Sequence, residues 1–175
     1  MRVRPIRGEQ DVRELTVAHG RAWRAAYEGI LPESVIRRVE AEEPPADRVQ
    51  ADLDRLTGYG PGRVLVVTDA SDTVRGYAVF RWPADETKDS VRPNEAELKE
   101  LYVDPDRWGE GYGTALLEAG IERMPDDVDS LALETLEGND VGAGFYEARG
   151  FERDGTGSFE VDGESSPTRV YRKPL

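Results

Sequence analysis

The feature that most constrains the fold is a glycine-rich turn between a predicted strand and a predicted helix. Gly109, Gly111 and Gly113 alternate along this turn, soon after a strand that ends at Val103. Glycine lets backbone N–H groups approach a ligand without interference from a Cβ atom. The start of a helix adds unpaired N–H donors and the positive end of the helix dipole. The turn therefore predicts a site for an anionic group such as a pyrophosphate.

Two common phosphate-binding motifs match this turn poorly. A Walker loop needs G-x-x-x-x-G-K-[ST], and the turn contains no lysine. A dinucleotide fingerprint needs G-x-G-x-x-G; counted from Gly109 the sixth position is Thr114, and a count from the next glycine reaches Leu116. A nicotinamide-dinucleotide protein stays open as an alternative, because Glu134 follows at about the spacing of a ribose-binding acid.

The rest of the chain predicts an α/β fold with a mixed sheet and helices on both faces. Strands are predicted at 2–6, 63–68, 74–81, 95–103, 131–136, 151–161 and 167–173, and helices at 9–28, 32–56, 111–124 and 139–149. Pro44 and Pro45 interrupt the second helical region, and residues 83–94 are expected to form a loop. The length suits a single domain, residues 1–175.

Composition narrows the chemistry that this chain can perform. It has no cysteine and one histidine, His19, so thiolate or multi-histidine metal sites, a cysteine nucleophile and a conventional triad are not expected. With 36 acidic against 23 basic residues, the net charge is −13. A negative surface disfavours binding to nucleic acid or to an anionic membrane. We therefore expect no metal, and acid–base work by carboxylates, tyrosine, backbone or water.

Two further features concern the cellular location of the chain and the salt concentration around it. No stretch approaches the roughly 18 apolar residues of a membrane span, and no signal peptide is evident, so a cytoplasmic location is expected. Only Lys88, Lys99 and Lys173 are lysines. Many carboxylates with few lysines resemble halophilic proteins, in which salt screens the self-repulsion. An acidic protein of ordinary origin is the alternative.

Two sequence motifs together resemble one family. The first comprises Leu101-Tyr-Val-Asp-Pro105 and Trp108-Gly-Glu-Gly-Tyr-Gly-Thr114; the second comprises Leu131-Ala-Leu-Glu134, Asn139 and Phe145-Tyr146-Glu-Ala-Arg-Gly150-Phe151. In this order and spacing they resemble the GNAT superfamily of N-acetyltransferases, most strongly over residues 60–155. Trp108 departs from the usual glutamine or arginine, and Gly142 from the usual alanine.

The resemblance implies a GNAT-like fold: a mixed, mostly antiparallel sheet of six to seven strands. It also implies acetyl-CoA as the co-substrate. Leu101, Tyr102 and Val103 would bind the pantetheine arm. The residues expected to hold the pyrophosphate are Trp108, Gly109, Glu110, Gly111, Tyr112, Gly113 and Thr114, and those expected to contact CoA further along are Asn139 and Tyr146. Asn139 or Asp140 is also a predicted helix cap.

The implied reaction moves an acetyl group from the thioester to a primary amine, with a general base and a general acid. The resemblance makes Tyr146 the candidate acid. Three glutamates are candidate bases, ranked Glu134, Glu100 and Glu97, and each could instead be an ordinary solvated carboxylate. Strand alternation predicts that Glu97 and Glu100 point to opposite faces of their strand.

Aromatic residues near the end of the first helix are candidates for the acceptor pocket. Trp23 and Tyr27 lie where the family's substrate loop begins, although core packing is the alternative. His19 is expected on the helix surface. The acceptor could be a small-molecule or peptide amine, and the last strands offer an edge where two copies could pair as a homodimer. A CoA-binding sensor or partner module without turnover is the alternative function.

Overall fold

Seven strands form one mixed sheet in the computed structural model, which describes residues 1–39, 42–82, 87–161 and 163–175. The strands are β1 Arg2–Pro5, β2 Val64–Thr68, β3 Val74–Arg81, β4 Glu95–Val103, β5 Ser130–Leu136, β6 Glu152–Val161 and β7 Glu164–Pro174. Their order in the sheet is β1-β2-β3-β4-β5-β7-β6, and β4 with β5 is the one parallel pair among the described strands. The predicted fold class is confirmed.

The helices divide between the two faces of this sheet. They are α1 Glu9–Tyr27, α2 Glu33–Ile36, α3 Ala46–Thr57, α4 Tyr112–Ile121 and α5 Asp140–Glu147. Alternation along β2 shows the division: Val64 and Val66 pack in one cluster with α1 and α3, whereas Leu65 and Val67 pack in another with α4 and α5.

The predicted second helical region is two helices, α2 and α3. Pro45 directly precedes α3, where its fixed φ suits a helix start, whereas inside a helix it would remove a hydrogen bond. Of the predicted loop over 83–94, residues 83–86 lie outside the described residues; β4 begins at Glu95 as predicted.

A close approach in α4 fixes how this helix packs on the sheet. Gly120 faces the ring of Phe80 on β3, and a Cβ atom at Gly120 would lie 2.0 Å from Phe80 Cζ. Phe80 is fully buried. This contact sets how closely α4, the helix that begins at the glycine-rich turn, packs on β3.

The parallel pair β4 and β5 separates along its length. The two strands pair from Glu95 with Ser130 to Glu97 with Ala132, and the register extends no further over the described residues. Past Glu97, β4 keeps β3 on one side, but its other side has no partner strand. The separation leaves backbone N–H and C=O groups of β4 directed into an opening in the middle of the sheet.

A bulge interrupts β4 beside this opening. Val79 pairs with Glu100 and Phe80 pairs with Leu98, so Lys99 is an extra residue without a partner on β3. An extra residue reverses the alternation of side chains beyond it. Glu97 and Glu100 consequently lie on the same face of the strand, the face of α1, and the predicted placement on opposite faces is wrong.

Candidate active site

A cavity of about 340 Å³ lies between the separated ends of β4 and β5. The end of β4, the glycine-rich turn, the start of α4 and one side of α5 form most of its wall. Of the predicted CoA contacts, these line it: Leu101, Tyr102, Val103, Trp108, Gly109, Gly111, Tyr112, Gly113, Thr114, Asn139 and Tyr146. The fold therefore brings both sequence motifs to one opening.

The start of α4 presents unpaired backbone donors to this cavity. Gly109 and Gly111 have φ values of 79° and 86°, a region that L side chains rarely adopt. The first hydrogen bond of the helix runs from the Ala115 N–H to the Gly111 carbonyl (2.9 Å), and no side chain caps the helix. The N–H groups of residues 112–114 therefore have no acceptor within α4, and an anion can accept from them.

Trp108 braces the turn. Its indole N–H donates to the Val103 carbonyl (2.8 Å), which ties the turn to the end of β4. Trp108, which departs from the family's usual glutamine or arginine, thus has a structural role. The Glu110 side chain is exposed, pairs with Arg107 at 3.4 Å and does not line the cavity. Glu110 is therefore the one predicted CoA contact that does not line the cavity.

Two arginines that sequence reasoning missed also line the cavity, Arg107 and Arg149. The Arg149 guanidinium lies over the Phe145 ring (3.7 Å to the centroid), and its Nε donates to Thr114 Oγ1 (3.0 Å). It thus places positive charge beside the glycine-rich turn. Arg149 could have been predicted from its position three residues after Tyr146, because residues at this spacing lie on the same side of a helix.

Asn139 caps α5, as predicted. Its Oδ1 accepts from the Gly142 N–H (3.0 Å), and its Nδ2 donates to Thr135 Oγ1 (3.0 Å). A Cβ atom at Gly142 would lie 2.7 Å from Asn139 Nδ2. The glycine that departs from the family pattern therefore leaves room for this cap.

Tyr146 lies on α5 against the rings of Phe145 and Phe151, with centroids 5.2 and 5.6 Å away. It is buried and lines the cavity. Burial, and then the proximity of Tyr27, raise the pKa of the Tyr146 hydroxyl above its ordinary value of about 10. The phenol therefore keeps its proton through the neutral range, as a proton donor requires.

A second cavity of about 350 Å³ shares part of its wall with the first one. The rest of its wall comes from α1, α3 and the α1 face of the sheet. The residues that line both cavities, and so form their junction, are Tyr27, Lys99, Glu100, Tyr102 and Glu134. Two of the three candidate bases, Glu100 and Glu134, thus lie at this junction.

Glu134 is held as an anion by three donors. Lys88 Nζ and Thr168 Oγ1 donate to its Oε2 (2.8 and 3.0 Å), and Ser90 Oγ donates to its Oε1 (2.5 Å). Burial opposes ionisation, but these hydrogen bonds and the charge of Lys88 outweigh it and lower the pKa of Glu134. A carboxylate with both oxygens engaged and a lowered pKa is a weak base.

The other two glutamates differ in access. Glu97 is buried, its Oε2 accepts from Arg81 Nε (2.8 Å), and it lines neither cavity. The structure does not bring Glu97 to the site. Glu100 accepts from the Tyr77 hydroxyl (2.6 Å) and has Lys99 at 3.4 Å, and its side chain keeps 19% of its surface exposed. Glu100 is therefore the accessible carboxylate at the junction.

The predicted acceptor residues lie on different parts of the wall. Trp23 lines the second cavity, and Tyr27 lines both. Their rings pack edge to face (4.5 Å), so they contribute to packing as well. His19 is not on the outer surface of α1: it lines the second cavity, with its ring 4.6 Å from that of Tyr102. Periodicity alone did not reveal which side of α1 the cavity occupies.

Burial lowers the pKa of His19 below its usual value of about 6.5, although Glu100 acts in the opposite direction. Below about pH 6.5, the imidazole binds a proton in the unfolded chain but not in the folded chain, so the stability of the fold decreases as the pH falls. Between pH 7.5 and 5.5, we expect the wild type to lose up to about 1.4 kcal/mol more than His19→Gln. Urea unfolding at both pH values measures this; equal losses would contradict it.

Residues 23–151 match the family model for the acetyltransferase (GNAT) family. The chain belongs to the GNAT family. Among the residues that the structure describes, no group of His, Cys, Asp and Glu could hold a metal ion, and none of the helices is long and apolar enough to cross a membrane.

Two curated relatives of this GNAT chain are mycothiol acetyltransferases. The one from Sanguibacter keddieii is 32% identical over 138 residues, which cover 76% of this chain and 43% of the relative. The one from Propionibacterium freudenreichii is 36% identical over 94 residues, which cover 53% and 28%. This chain therefore spans less than half the length of these relatives.

Solved structures share the GNAT fold over nearly the whole chain. PaiA N-acetyltransferase from Thermoplasma acidophilum, in complex with coenzyme A, has a TM-score of 0.70 at 20% identity and covers 99% of this chain and 98% of its own. A phosphinothricin acetyltransferase from Sinorhizobium meliloti, in complex with acetyl-CoA, has a TM-score of 0.64 at 20% identity and covers 99% and 88%.

Proposed function

We propose that this chain is an acetyl-CoA-dependent N-acetyltransferase that acetylates a primary amine by direct attack. One observation carries the proposal: two cavities share a wall at the separation of β4 and β5, the first is lined by the glycine-rich turn, and the accessible carboxylate of Glu100 lines both. Acetyl-CoA supplies the activated acetyl group. The residues then have four tasks: to bind the phosphates, align the pantetheine arm, take a proton from the amine and return one to the sulfur.

The groups of the first cavity fit the phosphates of CoA. Unpaired N–H groups at the start of α4 and the guanidinium groups of Arg107 and Arg149 complement a pyrophosphate. Because the chain carries −13 overall, its long-range field does not attract CoA, and binding depends on these local donors. Past Glu97 one side of β4 has no partner strand among the described residues, so residues 101–103 can offer backbone groups on that side to the pantetheine amides, as an added strand would use them.

Glu100 is the base that we propose, in place of Glu134, which sequence reasoning ranked first. Glu100 lines both cavities, so its carboxylate can accept a proton from an amine in the second while the acetyl group occupies the first. Tyr146 is the acid that we propose for the departing sulfur, because it lines the first cavity and keeps its proton at neutral pH. The Val103 backbone N–H is our candidate donor to the thioester oxygen.

Release of free CoA tests the function. Acetyl-CoA is incubated with the protein and a panel of primary amines, and thiol is measured with and without each amine. Amine-dependent release supports an enzyme. If calorimetry shows tight acetyl-CoA binding but no amine in the panel releases CoA, the chain is instead a CoA-binding sensor or partner module, and the proposal fails.

The phosphate site can be tested separately with Arg149→Met. Loss of a charge-assisted contact to the pyrophosphate is expected to raise the Kd for acetyl-CoA about 10- to 100-fold. Calorimetry measures the change. Arg123→Met is the control, since Arg123 bonds Ala119 at the far end of α4 and lines neither cavity. Equal affinities of the two variants would place the pyrophosphate elsewhere.

A further inference from the structure

Aromatic side chains form a large part of the wall of the second cavity. Three of them come from α1 at a spacing of four residues, which places them on the same side of the helix. The others come from β3, β4 and β6. Together, among the residues that the structure describes, these side chains form what we call the aromatic wall: His19, Trp23, Tyr27, Tyr77, Tyr102 and Phe159.

The aromatic wall leads away from Glu100. Tyr77, whose hydroxyl donates to Glu100, has its ring centroid 5.9 Å from that of Tyr102. The Tyr102 ring lies 6.2 Å from that of Trp23, and the Trp23 ring lies 6.3 Å from that of Phe159. Successive rings thus lie within the distance at which aromatic groups attract one another. A molecule that has its amine at Glu100 and its body in the second cavity would lie along these rings.

Part of the aromatic wall is not covered by the protein itself. Four of its members are only partly buried: His19, Trp23, Tyr102 and Phe159. Phe80 in the core, by contrast, is fully buried. Apolar surface that leaves water stabilises a complex, and a ring that packs against other rings gains more than its area alone. An aromatic group on the ligand would therefore cover ring surface that the folded chain leaves exposed.

The carboxylates of the second cavity provide an independent observation. Each of the three has a cation beside it: Glu134 has Lys88 at 2.8 Å, Glu100 has Lys99 at 3.4 Å, and Asp52 has Arg55 at 3.3 Å. A ligand with a second charged group, such as an amino acid or a polyamine, would have to compete with these ion pairs. An uncharged ring would leave them intact. The pairs thus favour an acceptor whose amine is its one ionisable group.

We propose that the acceptor is a primary amine joined by a short linker to an aromatic ring, with the amine at Glu100 and the ring against Trp23 and Phe159. This inference rests on the proposed acetyltransferase function and names its acceptor class. A cavity of about 350 Å³ suits such a small molecule. The acetyl C–S bond breaks as the N–C bond forms, one amine proton passes to Glu100, and the sulfur leaves with the proton of Tyr146 as free CoA.

The test compares four amines: phenethylamine, cyclohexylethylamine, butylamine and putrescine. CoA release gives kcat/KM for each, corrected to the fraction of neutral amine. The wild type is expected to favour phenethylamine over butylamine about 10- to 100-fold, because the ring buries additional apolar surface. It is expected to favour phenethylamine over cyclohexylethylamine about 2- to 10-fold, because the saturated ring has no aromatic attraction to the wall. Putrescine, with its second ammonium, is expected to react no faster than butylamine.

Phe159→Ala tests the wall directly. It is expected to lower the ratio of kcat/KM for phenethylamine to that for butylamine about 3- to 10-fold. Trp82→Ala is the control, since Trp82 is an aromatic residue that lines neither cavity, and it is expected to keep the ratio. Each ratio is measured within one protein, so a smaller folded fraction does not alter it.

The outcomes separate the acceptor class from the function. Butylamine, putrescine or cyclohexylethylamine that reacts as fast as phenethylamine would overturn the inference alone. The same holds for a ratio that survives in Phe159→Ala or falls equally in Trp82→Ala. No CoA release with any amine would overturn the acetyltransferase function itself.

Discussion

Glu100→Gln is expected to lower kcat about 100- to 10,000-fold, because glutamine cannot take a proton from the attacking amine. The amide can still accept from the Tyr77 hydroxyl, so the local structure is expected to persist. CoA release measures the rate, and calorimetry is expected to show unchanged acetyl-CoA binding. This combination separates loss of catalysis from loss of folding.

Glu134→Gln is the matched comparison, since Glu134 lies at the same junction but is held by Lys88, Ser90 and Thr168. It is expected to change kcat much less than Glu100→Gln does. Glu118→Gln, on the exposed side of α4, controls for the loss of one negative charge. A larger loss in Glu134→Gln than in Glu100→Gln, with both proteins folded, would show that the base is Glu134.

Gly120→Ala is expected to destabilise the protein by about 3 kcal/mol and to lower Tm by about 6–12 °C. The added methyl group would lie 2.0 Å from the ring of Phe80, which is fully buried in the core and cannot move aside without disturbing its neighbours. Thermal and urea unfolding measure the change. Because α4 also carries the proposed phosphate site, its displacement is expected to weaken acetyl-CoA binding in the variant that remains folded.

Gly144→Ala, in the exposed side of α5, is the control for the same chemical change. A Cβ atom there meets no atom within 4 Å, and the helix gains from the better helix former. It is expected to stabilise the protein by about 0.4–1 kcal/mol. Similar stabilities for the two variants would mean that the contact between α4 and β3 is looser than the structure indicates.

The features that the sequence predicted well are those that short-range patterns determine. The glycine-rich turn, the strand before it and the Asn139 cap all depend on residues within a few positions of one another. The strand pattern and the family resemblance together led to the mixed sheet, and the α4 stripe to a helix on one of its faces. The interruption of the second helical region by Pro44 and Pro45 was predicted as well, although the helix before it, α2, is only four residues long.

The identity of the base could not be predicted, because it depends on contacts between distant residues. The three donors to Glu134 lie 34 to 46 positions away along the chain. Strand alternation also failed at β4, where the unpaired Lys99 turns Glu100 to the face that Glu97 occupies. No local sequence pattern indicates this bulge, because it depends on the register between β4 and β3. His19 was misplaced for a similar reason, since only the packed aromatic rings show which side of α1 is enclosed.

The shared wall of the two cavities has a consequence for kinetic order in the proposed reaction. If donor and acceptor occupy these separate spaces, neither needs to leave before the other arrives. Turnover should then pass through a ternary complex, and initial-rate plots should intersect rather than run parallel as in a ping-pong scheme. By the same reasoning, a single molecule that joins CoA to an acceptor would span both spaces and bind more tightly than either half.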